Sequence, residues 1–373
     1  MAFKTLDPQD FVVSSDSVTS TVWSNNNPSL NVAFSSSTQA EGASGPYYLS
    51  VYQTASALDQ AAVQYQIAYG NKQGAGGVDF DASVPNVSPT STIYGQYRTL
   101  VLEDENSNFV FGASATGSGN NNDFYVISVE RARYKESLLP GSLNLVLSSS
   151  NTTATYNAIH LTDNSGEVTL PIYYGTQRAY QIISGSDGTA WNGNGYSYSG
   201  SYGLFLPDIS TILLNAAALD DNSAPGSTGT DDGGGINIGT NQTANTAGNN
   251  PQKLYNHISG SVGDTNGNVF KLNSQETITS DFVFVRARNS EFNYSENPSF
   301  ISGSTGEVIY TYFIDNPTVY PTTVGMYNDS NDLLAVAKLS KPIQKPLFTS
   351  SGDTIISCEF SCLKALIHFR NLI

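Results

Sequence analysis

Four of the chain's sixteen basic residues stand in two identical triplets, Arg131-Ala132-Arg133 and Arg286-Ala287-Arg288, in a sequence of 373 residues with a formal net charge of -16. Each triplet closes an apolar run, "DFYVISVERAR" and "DFVFVRAR". Read as strands, these place Phe282, Phe284, Arg286 and Arg288 on one face, and Tyr125, Ile127, Val129, Arg131 and Arg133 on another, because side chains alternate along a strand. A guanidinium fork pairs two-pronged with carboxylates and phosphates. A phosphate role would call for a Gly-rich loop that follows a strand and opens a helix, and neither triplet has one. Two readings stay open. The arginine stems cover the edge of a core, with their heads in water or paired to Glu136 and Glu291, or they lie in a subunit joint where such pairs set the register.

Other chemistry has less behind it. There is no G-x-S-x-G elbow and no H-E-x-x-H, and His160, His257 and His368 are far apart. Acidic residues are plentiful, yet nothing selects a glycosidase-like pair. No catalytic residue is assigned, and the chain is read as a non-enzyme. "GDTNGN" puts Asp264, Asn266 and Asn268 at calcium-loop spacing without the downstream glutamate, which reads as a turn. Cys358 and Cys362 lack a histidine pair, so no metal or other cofactor is expected. A glycine-rich stretch carries Trp191, Tyr196, Tyr198 and Tyr202; these rings either present faces to a glycan or a protein, or fold back onto the body.

The elements that hold these residues are expected to be strands. Thirty-three Gly, 22 Tyr and 17 Phe with few charges make a strand-and-turn composition. The fold class expected is mainly β, with antiparallel, sandwich-like sheets, long Gly/Asn/Ser loops and about one short helix. That helix is placed at "SALDQAAVQYQIAY", Ser56 to Tyr69, where Leu58, Ala61, Ala62, Tyr65 and Tyr69 fall at helical spacing ahead of Gly70. "SVPNVSPTSTIYGQYRTLVLED" is read as strand. The N-terminus lacks a secretory signal's apolar core, and no segment approaches the roughly 20 apolar residues of a membrane span. The acidic balance opposes nucleic-acid binding. A soluble protein made in a cytoplasm, without nucleic-acid or membrane partners, is expected.

A degenerate repeat organises the chain. "RAR", "SGEV", "YGLF" and "ILLNAAAL" recur in the same order as "RAR", "TGEV", "VGMY" and "LLAVAKL", with different spacings that loop insertions would explain. Five segments follow: a β-rich domain with the helix (1–120), a first repeat-like domain (121–219), a flexible linker or arm (220–252), a second repeat-like domain (253–343) and an atypical tail (344–373).

The block "ARNSEFNYSENPSFISGSTGEVIYTYFIDNPTVYPTTVGMYNDSNDLLAVAKLSKPI", with "FYVISVERARYKESLLPGSLNL" and "YGLFLPDISTILLNAAAL", resembles a family of virion structural proteins of large contractile-tailed phages of the cyanophage type. The resemblance implies a virion component without known catalysis, placed in the tail or baseplate and assembling with other virion proteins or copies of itself. A head or neck surface protein and a tail-associated receptor- or glycan-binding protein are the alternatives. It also implies a basic-and-apolar strand after "AKLSKP", where this chain instead ends in "QKPLFTSSGDTIISCEFSCLKALIHFRNLI", as a truncated or frameshifted end would.

Overall fold

A computed structural model describes residues 3–30, 35–36, 48–53, 61–77, 80–84, 87–112, 120–148, 158–191, 195–197, 200–221, 234–242, 250–261, 269–295, 297–315, 317–346, 354–361 and 368–370. The protein is mainly β, with antiparallel sheets and four α-helices among these residues. Two compact units form: Val18–Glu276, and Met1–Ser17 together with Thr277–Ile373.

The larger unit is built on one sheet of twelve strands, curled into a half-barrel. Its principal strands are β1 (Tyr48–Tyr52), β2 (Val63–Asn71), β3 (Asp123–Val129), β4 (Asn144–Ser148), β5 (Ala158–Asp163), β6 (Gln177–Ser186), β7 (Gly203–Leu206) and β8 (Thr211–Asn215). They lie in the order β4-β5-β6-β7-β8-β3-β2-β1. Segments 1–120 and 121–219 of the sequence therefore share one sheet, since β2 pairs with β3 from Tyr65↔Val129 to Asn71↔Asp123.

Continuous apolar runs such as "FYVISV" and "ILL" suit strands covered on both faces. One face carries Tyr65, Ile67, Tyr69, Tyr125, Ile127, Phe205, Ile212 and Leu214, packed with Trp23, Phe270, Leu254 and Ile258. The other carries Phe124, Val126, Ala179, Leu204, Leu206 and Leu213, packed with Tyr94, Val101, Phe109 and Phe111. Each such side chain contributes about 1.5–3 kcal/mol on burial.

Two helices supply the covers. Helix α1 (Pro89–Leu102) starts with Pro at its first position after Ser88 and ends at Glu103 in the left-handed conformation, φ 55°. It rests directly on β2, because a Cβ on Gly70 would stand 3.1 Å from the Tyr94 backbone nitrogen. Helix α2 (Asn250–Ser259) buries Leu254 and Ile258 on the opposite face.

Three expectations are corrected here. The helix expected at Ser56–Tyr69 is strand β2 from Val63 onward, and its first residues, 56–60, lie outside the described set. Tyr65, Ile67 and Tyr69 alternate with period 2 and all enter one core face. The stretch expected as strand is α1; its Ser-Pro start is a helix signal that outweighs the β-branched residues following it. The expected linker contains residues 234–242, which are seated in the core: Ile236 and Ile238 are buried, and Tyr202 Oη donates to Gly234 O at 2.7 Å. Residues 222–233 and 243–249 lie outside the described set.

In the smaller unit, β9 (Asn273–Ala287, from Thr277 onward) pairs antiparallel with Thr354–Ser361, from Ser280↔Ser361 to Ala287↔Thr354. The C-terminal segment expected to be atypical thus supplies a ladder strand. Helix α3 (Thr311–Asp315) and the antiparallel pair β10 (Thr323–Tyr327) and β11 (Leu333–Lys338) follow. Val283, Val285, Val324 and Met326 form its core with Leu6 and Phe11.

The repeat has a structural counterpart in its second half alone. "YGLF" and "ILLN" form the antiparallel neighbours β7 and β8, and "VGMY" and "LLAVAK" form β10 and β11. The triplets do not correspond, since Arg131–Arg133 is a turn of 3-10 helix while Arg286 lies within β9.

Candidate binding cleft

The first arginine pair does not share a strand face. β3 ends at Val129, and the 3-10 turn points Arg131 and Arg133 differently. Arg131 Nη1 donates to Tyr134 O at 2.9 Å, and its guanidinium lies over the Tyr134 ring, 4.6 Å from the centroid. Glu136 is exposed near the end of the same loop. In the second triplet, Arg286 is 3.3 Å from Asp10. Glu291 accepts from the backbone N–H of Arg288 at 2.9 Å, which caps the turn leaving β9. Both second-triplet arginines are exposed.

The aromatic stretch separates into different fates. Tyr202, 1% exposed, is a core residue beside β7, so it presents no face to a ligand. Tyr196 is half-buried, and burial raises its phenol pKa. Tyr198 lies outside the described residues, as do Asp264, Asn266, Asn268 and Cys362; Cys358 belongs to the strand Thr354–Ser361. Trp191 is half-buried, with its ring 5.0 Å from that of His160 at an interplanar angle of 45°.

That ring pair marks a cleft of about 280 Å³ lined by Asn144, Leu145, Val146, His160, Gly185, Ser186 and Trp191. Strand register brings them together. Val146 stands opposite His160, and Asn144 opposite Thr162, which is itself opposite Ile183 on β6. Asn144, Val146 and His160 lie on the face that α1 covers farther along the sheet, while Leu145 between them turns to the other core face. Over β4 and β5 that face opens into the cleft, with Trp191 along one side.

The hairpin that presents Trp191 is tightly fixed. Ser186 pairs with Thr189 across Asp187 (φ 49°) and Gly188 (φ 80°), a two-residue turn of the kind Asp-Gly favours. The Asn144 side chain holds the turn from β4, donating to Asp187 Oδ1 at 2.8 Å and accepting from the Asp187 N–H at 2.8 Å. Lys271 Nζ donates to the same carboxylate at 2.7 Å, and this bond holds the Asp187 pKa below its ordinary value. Behind the turn, buried Asp163 accepts from the N–H groups of Gly141 (3.0 and 2.9 Å) and Ser165 (3.1 Å). Burial raises its pKa despite those bonds.

His160, Asn144 and Asp187 were not singled out by sequence. His160 looked like a lone histidine, and Asn144 acquires a role through register. The Asp-Gly pair is the one local signal, a hairpin mark inside a stretch that reads by composition as loop.

No family model, curated protein or solved structure matches the chain. Among the described residues no helix is long and apolar enough to cross a membrane, and no group of three or more His, Cys, Asp and Glu could hold a metal ion.

Proposed function

We propose that the chain is a non-enzymatic structural component of a phage virion, in the tail or baseplate, acting through contacts with other virion proteins or with copies of itself. The observation that carries the reading is an uncovered aromatic surface in the smaller unit. Tyr312 and Ile314 are 68% and 67% exposed, Ile309 and Tyr310 are exposed just before them in sequence, and Tyr294 is exposed as well. The rings form rows, Tyr294 to Phe300 to Phe313 at 6.3 and 5.1 Å, and Tyr310 to Tyr312 at 5.5 Å. Clustered exposed apolar side chains mark association surfaces, and tyrosine is enriched in them. The same block, Ala287 to Ile343, carries the resemblance to phage virion proteins. Arg286 and Arg288, exposed at the end of β9, would serve as polar rim rather than as a buried anchor.

Incorporation into particles tests this reading. Tyr312→Ser with Ile314→Ser is expected to leave the free chain soluble and folded while lowering its amount in purified particles at least about tenfold, a loss of roughly 1.4 kcal/mol of contact energy. Gold-labelled antibody on intact and contracted particles gives the address, with label at the tail base expected. Undiminished incorporation of the variant, or absence of the wild-type chain from particles, overturns the proposal.

A further inference from the structure

We infer that the cleft over β4, β5 and β6 binds one neutral pyranose ring, such as the terminal sugar of a glycan, with the Trp191 indole as its apolar wall. A volume of about 280 Å³ lies just below the range of small-molecule sites, which run from about 300 to 1,000 Å³. It suits a single sugar and is too small for a dinucleotide or an oligosaccharide lying at full length. The wall chemistry is divided in the way a sugar is divided. Trp191 offers apolar surface to a ring's C–H face over a floor that includes Val146, while His160, Ser186 and the Gly185 backbone bring polar groups to the cleft for its hydroxyls. An indole is a large, rigid contact surface that loses little conformational freedom on binding.

Charge narrows the ligand class. Asp187 and Lys271, beside the hairpin that carries Trp191, are bonded to each other at 2.7 Å, so among the described residues this pair offers neither a free cation to a phosphate or sialic acid nor a free anion to an amine. The walls are also set before any ligand arrives. The sheet fixes His160 and Val146, and the two Asn144–Asp187 hydrogen bonds fix the hairpin that carries Trp191. Pre-set walls reduce the ordering cost of binding. The inference concerns the larger unit and does not depend on where the protein resides, so it can fail or hold independently of the virion reading.

The two tryptophans make the test specific. Trp23 is buried and its indole N–H is bonded to Phe270 O at 3.0 Å, leaving Trp191 as the reporter beside the cleft. The full chain is titrated with the methyl glycosides of glucose, galactose, mannose and N-acetylglucosamine, reading tryptophan emission and saturation transfer from protein to sugar protons. At least one glycoside is expected to give a saturable emission change, with transfer strongest to the protons of one ring face. Trp191→Ala should weaken that binding about tenfold or more, Trp191→Phe by less, and His160→Ala measurably, all three retaining the wild-type circular dichroism spectrum. Absence of saturable binding for all four glycosides overturns the inference. So does undiminished binding in folded Trp191→Ala, which would put the sugar elsewhere. Should Trp191→Ala not fold, Trp191→Phe and His160→Ala decide: unchanged affinity in both overturns the assignment, and weakening in both supports it.

Discussion

Asp208 receives two guanidinium nitrogens of Arg178 together with its backbone N–H. Nη2 and Nε of the guanidinium reach Asp208 Oδ1 at 2.6 and 3.1 Å, and the Arg178 backbone N–H reaches Oδ2 at 2.8 Å. The pair ties the start of β6 to the turn Pro207–Ile209 that joins β7 and β8. It is therefore a clamp across three strands of the sheet that shapes the cleft. Charge-assisted pairs of this kind are stronger than neutral hydrogen bonds. Here the backbone N–H adds a donor that would lose its partner with the carboxylate.

Asp208→Ala is accordingly expected to destabilise the protein by about 1–3 kcal/mol, with Asp208→Asn intermediate because it keeps one acceptor oxygen. Chemical denaturation followed by circular dichroism measures this. Arg286→Ala is the contrasting case. Its 3.3 Å contact to Asp10 comes from a side chain 51% exposed, so a loss below about 1 kcal/mol is expected. Equal losses in the two variants would contradict the distinction.

A second network sits inside the sheet. Asp123 Oδ2 accepts from Tyr69 Oη and from Gln242 Nε2, each at 2.7 Å, and so binds residues 234–242 to β2 and β3. Burial raises the Asp123 pKa despite these bonds, and burial likewise pushes the Tyr69 phenol far up. The fold thus accepts the oxygen but disfavours its charge. Asp123→Asn keeps an acceptor and removes the charge, so at neutral pH it should be at least as stable as wild type. Asp123→Ala strands two buried donors and should cost about 2–3 kcal/mol. The sign with pH follows from the raised pKa: the folded state takes up its proton before the unfolded state does, so wild type gains on Asp123→Asn as pH falls through that range. A constant difference between the two proteins across acid pH would refute the assignment.

What the sequence disclosed depends on how local each signal is. The apolar runs at 124–127 and 212–214 announce strands covered on both faces, and they are the middle of the sheet. Period assignment failed at Tyr65, Ile67 and Tyr69 because alanines at 61 and 62 completed a helical spacing, and Ser88-Pro89 was the overlooked helix start. Ile236 and Ile238 were hidden in glycine-rich sequence, although their two-residue spacing matches an extended segment with one buried side. Of the cleft, only Trp191 and the Asp187-Gly188 hairpin mark were legible in the sequence. His160 and Asn144 reach it by pairings such as Asn144↔Thr162 and Asn144↔Lys271, and no local pattern encodes such a register. Tyr202 shows the reverse case, an aromatic in a polar stretch whose hydroxyl finds Gly234 O and whose ring belongs to the core.

His257 provides an acid-sensitive joint. On α2, its Nδ1–H donates to Ser148 O at 2.6 Å, while Ser148 Oγ donates to His257 O at 2.9 Å, so helix and β4 hold each other at this point. Burial lowers the His257 pKa below its ordinary 6.5, and nearby Lys253 adds to the effect. The unfolded chain therefore binds a proton at a pH where the folded chain does not. Stability supplied here is complete above about 6.5 and declines as pH falls toward the depressed folded value, where the decline stops. His257→Asn places an amide donor near the position of Nδ1 without a titrating group. Urea midpoints measured from pH 7.5 to pH 5 should fall more steeply for wild type than for His257→Asn, and hydrogen exchange should show α2 opening first as the pH drops. Parallel pH profiles for the two proteins would mean that the acid sensitivity lies in another group and that the α2–β4 joint is indifferent to protonation.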